Sequence, residues 1–145
     1  MKALIIIDIQ NDFLPGGSLE VKEGDKIITL INEMMENYDH IIATKDWHPS
    51  NHVSFASNHP GKEIGDIIKV NGLNQILWPD HCVQDSYGSE FPKELNHEKI
   101  NNIIYKGKNK KIDSYSGFYD NSKGASTELS EYLKSKGIDK IDCVG

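Results

Sequence analysis

The sequence predicts an α/β fold: a doubly wound, mostly parallel sheet with helices on both faces. Short, continuous apolar runs recur along the chain, as is typical of strands that are covered on both sides. Segments with helical periodicity alternate with these runs. Charged side chains also follow several of the runs directly, and ligands bind at such strand ends in sheets of this class.

The first strand and the first helix follow from apolar spacing. Residues 3–7 form an isoleucine-rich run, which predicts a central strand. Gly24-Asp25 then opens a helix in which Asp25 is the expected N-cap. The apolar side chains of this helix recur at helical spacing, at Ile27, Ile31, Met34 and Tyr38.

The second strand is predicted at residues 40–44, and a long irregular segment follows it. Over residues 47–100 the periodicity fades and Gly, Pro, Asn, Asp and Ser recur, with one short element near residues 67–70. A stretch of this length is uncommon in a compact domain unless it is functional or disordered. Because it carries aromatic residues and most of the histidines, we expect a folded active-site excursion within a single domain spanning residues 1–145.

The last elements are a third strand, a helix and a fourth strand. Residues 102–106 form the third strand, which ends in Lys106. Ser126 or Thr127 is expected to cap the helix, and Gly137 to end it as the C′ residue. The side chains expected to face inward are Leu129, Tyr132 and Leu133. Residues 138–144 form the fourth strand, in which Cys143 is expected to be buried and inert.

Composition excludes several functional classes. The chain has 145 residues and a net charge of −6, and it contains no arginine, which argues against a nucleic-acid partner. The N-terminal apolar run is too short to span a membrane and lacks the features of a secretory leader. Two cysteines do not form a disulfide framework, so we expect a cytoplasmic protein. Self-association into a homo-oligomer is left open.

Asp46, His48 and His81 form a candidate metal site. Side chains two residues apart on an extended backbone point the same way, so Asp46 and His48 can coordinate one ion, and His81 can supply a third ligand. One carboxylate and two imidazoles suit zinc, iron or manganese. The alternative is that Asp46 caps a turn before Pro49 and that the histidines are ordinary surface residues.

Asp8 and Lys106 form a candidate pair for proton transfer. Each ends an apolar strand, and the carboxyl ends of parallel strands meet at one edge of a sheet, so we expect the two side chains to lie within reach of each other. A partly buried carboxylate is a candidate general base, and a lysine beside it would keep it ionised. The alternatives are a structural aspartate bonded to loop N–H groups and a lysine that simply reaches water.

Six segments together resemble the nicotinamidases and pyrazinamidases, which are metal-dependent amidases among the isochorismatase-like cysteine hydrolases. The matching segments cover most of the chain in the family's order: residues 7–13, 44–49, 52–55, 78–84, 105–107 and 113–118. The resemblance implies hydrolysis of nicotinamide to nicotinate and ammonia in NAD salvage. It also implies a thioester intermediate on a cysteine nucleophile.

The resemblance implies a role for each matching residue. Asp8 matches the catalytic aspartate and Lys106 the catalytic lysine. Phe13 and Trp78 match the aromatic walls of the nicotinamide pocket. Asp46, His48 and His81 match the ligands of one divalent metal ion, for which zinc is favoured over iron or manganese. His52 matches an additional histidine near these ligands.

One expectation concerns the nucleophile itself. The family's cysteine follows the strand predicted at residues 138–144, so we expect it beyond residue 145 and expect the sheet to be truncated after about the fourth strand. Cys82, next to a proposed ligand, is expected to be a packed thiol. The alternatives to an amidase are a non-catalytic metal- and pyridine-binding module and a related isochorismatase-type hydrolase that uses no metal.

Overall fold

The computed structural model describes residues 1–124 and 126–145. Within these residues six strands form: β1 (Lys2–Ile7), β2 (His40–Asp46), β3 (Ile67–Val70), β4 (Leu73–Ile76), β5 (Asn102–Lys106) and β6 (Lys140–Val144). Four of them make a parallel sheet in the order β5-β2-β1-β6. The four predicted strands and the doubly wound α/β fold are therefore confirmed.

Two helices, α1 (Ile28–Met35) and α2 (Leu129–Ser135), cover opposite faces of the sheet. Leu4 and Ile6 of β1 pack in the cluster that contains α1, whereas Ala3 and Ile5 pack in the cluster that contains Leu129. Successive strand side chains point to opposite faces, so a continuous apolar run fills both layers.

The first helix begins later than predicted. A 3₁₀ turn, Gly24–Ile27, precedes α1, so Asp25 lies inside the turn and is not an N-cap. A 3₁₀ turn has three residues per turn, which rotates the apolar face relative to a continuous α-helix. The fully buried residues of α1 are consequently Ile28, Ile31 and Met35.

The start of α2 differs from the prediction by one residue, whereas its end follows the prediction. The N-cap is Glu128, which makes no side-chain cap bond, and the Thr127 hydroxyl just before it accepts the Leu129 N–H at 3.3 Å. Gly137 has φ +64° and donates to the Lys134 carbonyl at 3.1 Å, while Ile138 donates to the Leu133 carbonyl at 3.0 Å. These two bonds form a Schellman motif, which directs the chain into β6.

The segment between β2 and β5 is folded against the sheet. Bridges join His48 to Val83 and Phe55 to Trp78, and β3 and β4 form an antiparallel hairpin. The element expected near residues 67–70 is β3, whereas β4 was not predicted. The available signal was Asn71-Gly72, whose positive φ angles of 50° and 80° are typical of a tight hairpin turn.

The two cysteines lie in different surroundings. Cys82 is fully buried, as predicted, but the prediction for Cys143 is wrong because its side chain is exposed. The reason is that β6 is an edge strand with β1 as its only neighbour in the described sheet, so its apolar residues are not covered as those of β1 are. No helix in the described ranges is long and apolar enough to cross a bilayer.

Candidate active site

The carboxyl ends of three neighbouring strands bring Asp8, Asp46 and Lys106 together. Asp8 follows β1, while Asp46 and Lys106 are the last residues of β2 and β5 and lie opposite each other in register. The Lys106 Nζ lies 2.9 Å from the Asp8 Oδ2 and also donates to the Asp46 Oδ1. The expectation that Asp8 and Lys106 lie within reach of each other is confirmed.

Asp8 and Lys106 are electrostatically suited to proton transfer. Burial raises the pKa of Asp8, and the charge of Lys106 opposes this effect only in part. Burial also lowers the pKa of Lys106, but the charges of Asp46 and Asp8 outweigh it and hold that pKa above its ordinary value. The Thr44 hydroxyl orients Asp8 through a 2.6 Å hydrogen bond. The lysine is therefore charged, beside a carboxylate whose proton affinity is increased.

Asp46, His48 and His81 form a buried cluster with the geometry of a metal site. The Asp46 Oδ2 lies 3.6 Å from the His48 Nε2 and 3.8 Å from the His81 Nε2. All three candidate ligand atoms lie within 4.8 Å of one another. Burial would raise the pKa of Asp46, but the close approach of His48 and the charge of Lys106 outweigh it, so the pKa is lowered and Asp46 remains a carboxylate.

Backbone carbonyls leave one nitrogen of each cluster histidine open. The His48 Nδ1 lies 2.9 Å from the Gly107 carbonyl, and the His81 Nδ1 lies 2.8 Å from the Pro79 carbonyl. Because a carbonyl only accepts, each Nδ1 carries the hydrogen and each Nε2 keeps a lone pair that faces Asp46. Metal-binding histidines are oriented in this way.

The His48 Nε2 supplies a direct test of whether the cluster fits a metal. This atom is buried and has no hydrogen-bond partner among the described residues. Buried nitrogens of this kind are normally satisfied, so an unpaired lone pair beside a carboxylate fits the binding of a cation. One carboxylate oxygen and two imidazole nitrogens suit a divalent ion such as zinc.

His52 lies beside the cluster but is bonded differently. Its Nδ1 accepts the Ser54 N–H at 3.3 Å, so its Nε2 carries the hydrogen, which points to the Ile112 carbonyl at 3.3 Å. Burial lowers the pKa of His52 to about 4, which keeps the ring neutral. Both nitrogens are occupied, so this arrangement does not prepare His52 as a fourth ligand.

A cavity of about 190 Å³ joins the proton-transfer pair to the cluster. It is lined by Asp8, Phe13, Leu19, Asp46, Trp78, His81, Lys106, Asp113 and Tyr115. Phe13 and Trp78, which the resemblance implies to be aromatic walls, both line this cavity. Leu19, Asp113 and Tyr115 were not predicted to be site residues, although residues 113–118 form one of the segments that carry the resemblance.

Several known proteins resemble this chain in sequence and in fold. Residues 2–145 match the family model for the isochorismatase domain. The chain is 47% identical to the nicotinamidase of Acinetobacter baylyi over 99% of this chain and 67% of that protein. A solved nicotinamidase and pyrazinamidase of Acinetobacter baumanii aligns with a TM-score of 0.96 at 44% identity, over 99% of this chain and 70% of that one. A zinc complex of the Pyrococcus horikoshii pyrazinamidase aligns with a TM-score of 0.73 at 37% identity, over 99% and 70% of the two chains.

Proposed function

The chain belongs to the isochorismatase family, and we propose that it is a metal-dependent amidase that hydrolyses nicotinamide to nicotinate and ammonia in NAD salvage. One observation carries the proposal: the Asp8–Lys106 pair lines the same cavity of about 190 Å³ as Asp46 and His81, two of the three members of the cluster. The similarity to nicotinamidases supports the substrate.

The cavity walls suit a small, flat aromatic amide. Phe13 and Trp78 both line the cavity with aromatic surface. Aromatic side chains pack against other aromatic rings in offset or edge-to-face arrangements, so each can contact a pyridine ring. We assign them to holding the pyridine ring. The Trp78 Nε1 and the Gln75 Nε2 each donate to the Tyr115 hydroxyl oxygen at 3.2 Å, which fixes one side of this wall.

Asp8 is the proton acceptor in the proposed reaction. It takes the proton of a cysteine thiol, and Lys106 stabilises the charges that develop next to it. The thiolate attacks the amide carbonyl, the amide nitrogen takes the proton from Asp8 and leaves as ammonia, and water hydrolyses the thioester to nicotinate and the free thiol. A divalent ion bound at Asp46, His48 and His81 would supply Lewis-acid chemistry that orients and polarises the substrate.

The proposed nucleophile is a cysteine in the residues that follow β6 in this family. Ile6 pairs with Val144 in the parallel register of β1 and β6, so residues following Gly145 would emerge beside Asp8. Neither cysteine of the chain takes this role. Burial raises the pKa of the Cys82 thiol far above neutrality. Cys143 lies within β6, opposite Ile5.

An ammonia-release assay tests the proposed reaction. We expect no enzymatic hydrolysis of nicotinamide by residues 1–145 alone, and hydrolysis by a version extended through the natural reading frame. Losing a single oxyanion donor can cost about 100-fold in rate, and the absence of a nucleophile costs more. An extended version that binds nicotinamide without releasing ammonia would favour the binding-module alternative. Full activity of residues 1–145 would mean that Cys82 or Cys143 is the nucleophile, which a Cys82→Ala variant would decide.

Elemental analysis tests the metal ligands separately. We expect His48→Ala and His81→Ala variants to lose the divalent metal that the parent protein carries. His97→Ala is the matched control, because His97 is exposed and lies outside the cluster. If both cluster variants retain the metal content of the parent, the ligands are assigned wrongly.

A further inference from the structure

One buried carboxylate at the site has no role in the reaction described above. Asp113 is only 3% exposed. Its Oδ1 accepts the Ser114 N–H at 2.8 Å, and its Oδ2 accepts from the Gln75 Nε2 at the long distance of 3.5 Å. A carboxylate offers about four acceptor positions, so these two bonds satisfy it poorly.

Asp113 also lacks a cationic partner. No lysine forms an ion pair with it in residues 1–124 and 126–145, and Lys106 pairs with Asp8 and Asp46 instead. Burying an ionised carboxylate without a compensating charge costs several kcal/mol, on the order of the net stability of a small domain. A buried site of this kind therefore calls for a cation.

The position of Asp113 indicates which cation this is. One carboxylate oxygen of Asp113 and one ring nitrogen each of His48 and His52 lie within 4.8 Å of one another. Asp113 also shares the cavity wall with Asp46 and His81. Both ring nitrogens of His52 are already hydrogen-bonded, whereas His48, the other histidine of this group, keeps an Nε2 without a partner among the described residues.

The charges at the site support the same conclusion. Asp8, Asp46 and Asp113 contribute three negative charges, and Lys106 contributes one positive charge. One divalent ion balances the remaining two negative charges. Without Asp113, the same ion would leave an uncompensated positive charge in a buried site, which is unfavourable.

We propose that Asp113 is the second carboxylate of the metal centre, where it balances the ion's charge and biases which divalent ion is bound. The proposal rests on the metal site of the proposed function. Carboxylates suit oxygen-preferring ions such as manganese, whereas imidazole-rich sites suit zinc. Asp113 therefore shifts the preference of the site toward manganese relative to a site with Asp46 alone.

Ion titration of metal-free protein tests this role without relying on activity. Zn²⁺ and Mn²⁺ are titrated by calorimetry into the parent and into Asp113→Asn, Asp113→Glu and Asp39→Asn variants. Partners of this kind typically contribute about 10–100-fold to metal affinity, so we expect Asp113→Asn to weaken Mn²⁺ binding by that amount and Zn²⁺ binding less. Asp39→Asn makes the same charge change at the exposed amino end of β2, so its affinities should equal those of the parent.

Each other outcome has a defined meaning. Asp113→Asn binding both ions within about twofold of the parent overturns the proposal. If Asp113→Asn does not fold, the Asp113→Glu variant decides. It keeps the negative charge, so its affinity for Mn²⁺ relative to Zn²⁺ should equal that of the parent, and a different ratio overturns the proposal. A His48→Ala variant binding as tightly as the parent would instead show that the metal centre itself is misplaced.

Discussion

Lys106 offers the most direct test of how the site is held together. It is 4% exposed and compensates both Asp8 and Asp46, so a Lys106→Met variant leaves two buried carboxylates without their shared cation. Removing one partner of a buried ion pair costs about 3–5 kcal/mol. The Asp8 side chain is 19% exposed and recovers some hydration, so we expect about 3 kcal/mol, the lower end of that range.

The pH dependence of this loss identifies its cause. Without Lys106, the folded-state pKa of Asp8 rises further above its unfolded value of about 4, and that of Asp46, which Lys106 helps to lower, rises above that value as well. A raised folded-state pKa contributes stability at low pH that is lost as the pH rises through it. The variant should therefore differ less from the parent at pH 5 than at pH 7.

Urea unfolding of metal-free protein at both pH values measures the effect. Lys108→Met is the control, since Lys108 is half-exposed and its 3.7 Å pair with Glu128 is worth less than about 1 kcal/mol. A double variant that adds Asp8→Asn to Lys106→Met should recover part of the lost stability. The reasoning fails if Lys106→Met costs less than about 1 kcal/mol at pH 7, or if its cost does not change with pH.

Two further predictions concern the surroundings of the cluster. Gly107→Ala should weaken metal binding by about 10-fold or more, because Gly107 has φ +66° and an added Cβ would strike the His48 ring. Gly137→Ala, with φ +64° and open space, is the strain-matched control, and equal ion affinities in both variants would contradict the expectation. The pKa of His52 is about 4 in the folded protein, below its value of about 6.5 in the unfolded chain. As the pH falls from about 6.5 to 4, the unfolded chain therefore binds a proton that the folded protein does not bind, and the free energy of unfolding of the metal-free protein should fall by up to about 3 kcal/mol. Unfolding curves of parent and His52→Gln between these pH values check this, and parallel curves would refute it.

The sequence was sufficient to predict the sheet and the meeting of its strand ends. The central strands are short, continuous apolar runs, and such runs by themselves predict strands that are buried on both faces. Parallel pairing then brings Asp8, Asp46 and Lys106 to one edge wherever the intervening loops run. Cys143 shows where this reasoning fails, since an apolar run on an edge strand is not covered as the same run in the centre is.

Asp113 could not be predicted because its burial depends on distant parts of the chain. It lies in a polar stretch without periodicity, next to Ser114 and Tyr115. Its surroundings include Gln75 of β4, 38 residues away in sequence, and the cluster histidines. From the sequence alone, a carboxylate in such a loop is expected to be exposed to solvent. Only the tertiary contacts show that Asp113 is buried and has no cationic partner among the described residues.

The tautomers of the two cluster histidines could not be predicted from the sequence either, because backbone carbonyls fix them. Every residue has a carbonyl, so nothing marks Gly107 and Pro79 as the ones that fix the tautomers of His48 and His81. At the end of β5, however, two adjacent residues serve both halves of the site. Lys106 binds Asp8 and Asp46, and the next carbonyl, that of Gly107, orients His48. A shift of this strand end would therefore disturb the proton acceptor and the metal ligands together, which couples the two parts of the proposed reaction through the backbone.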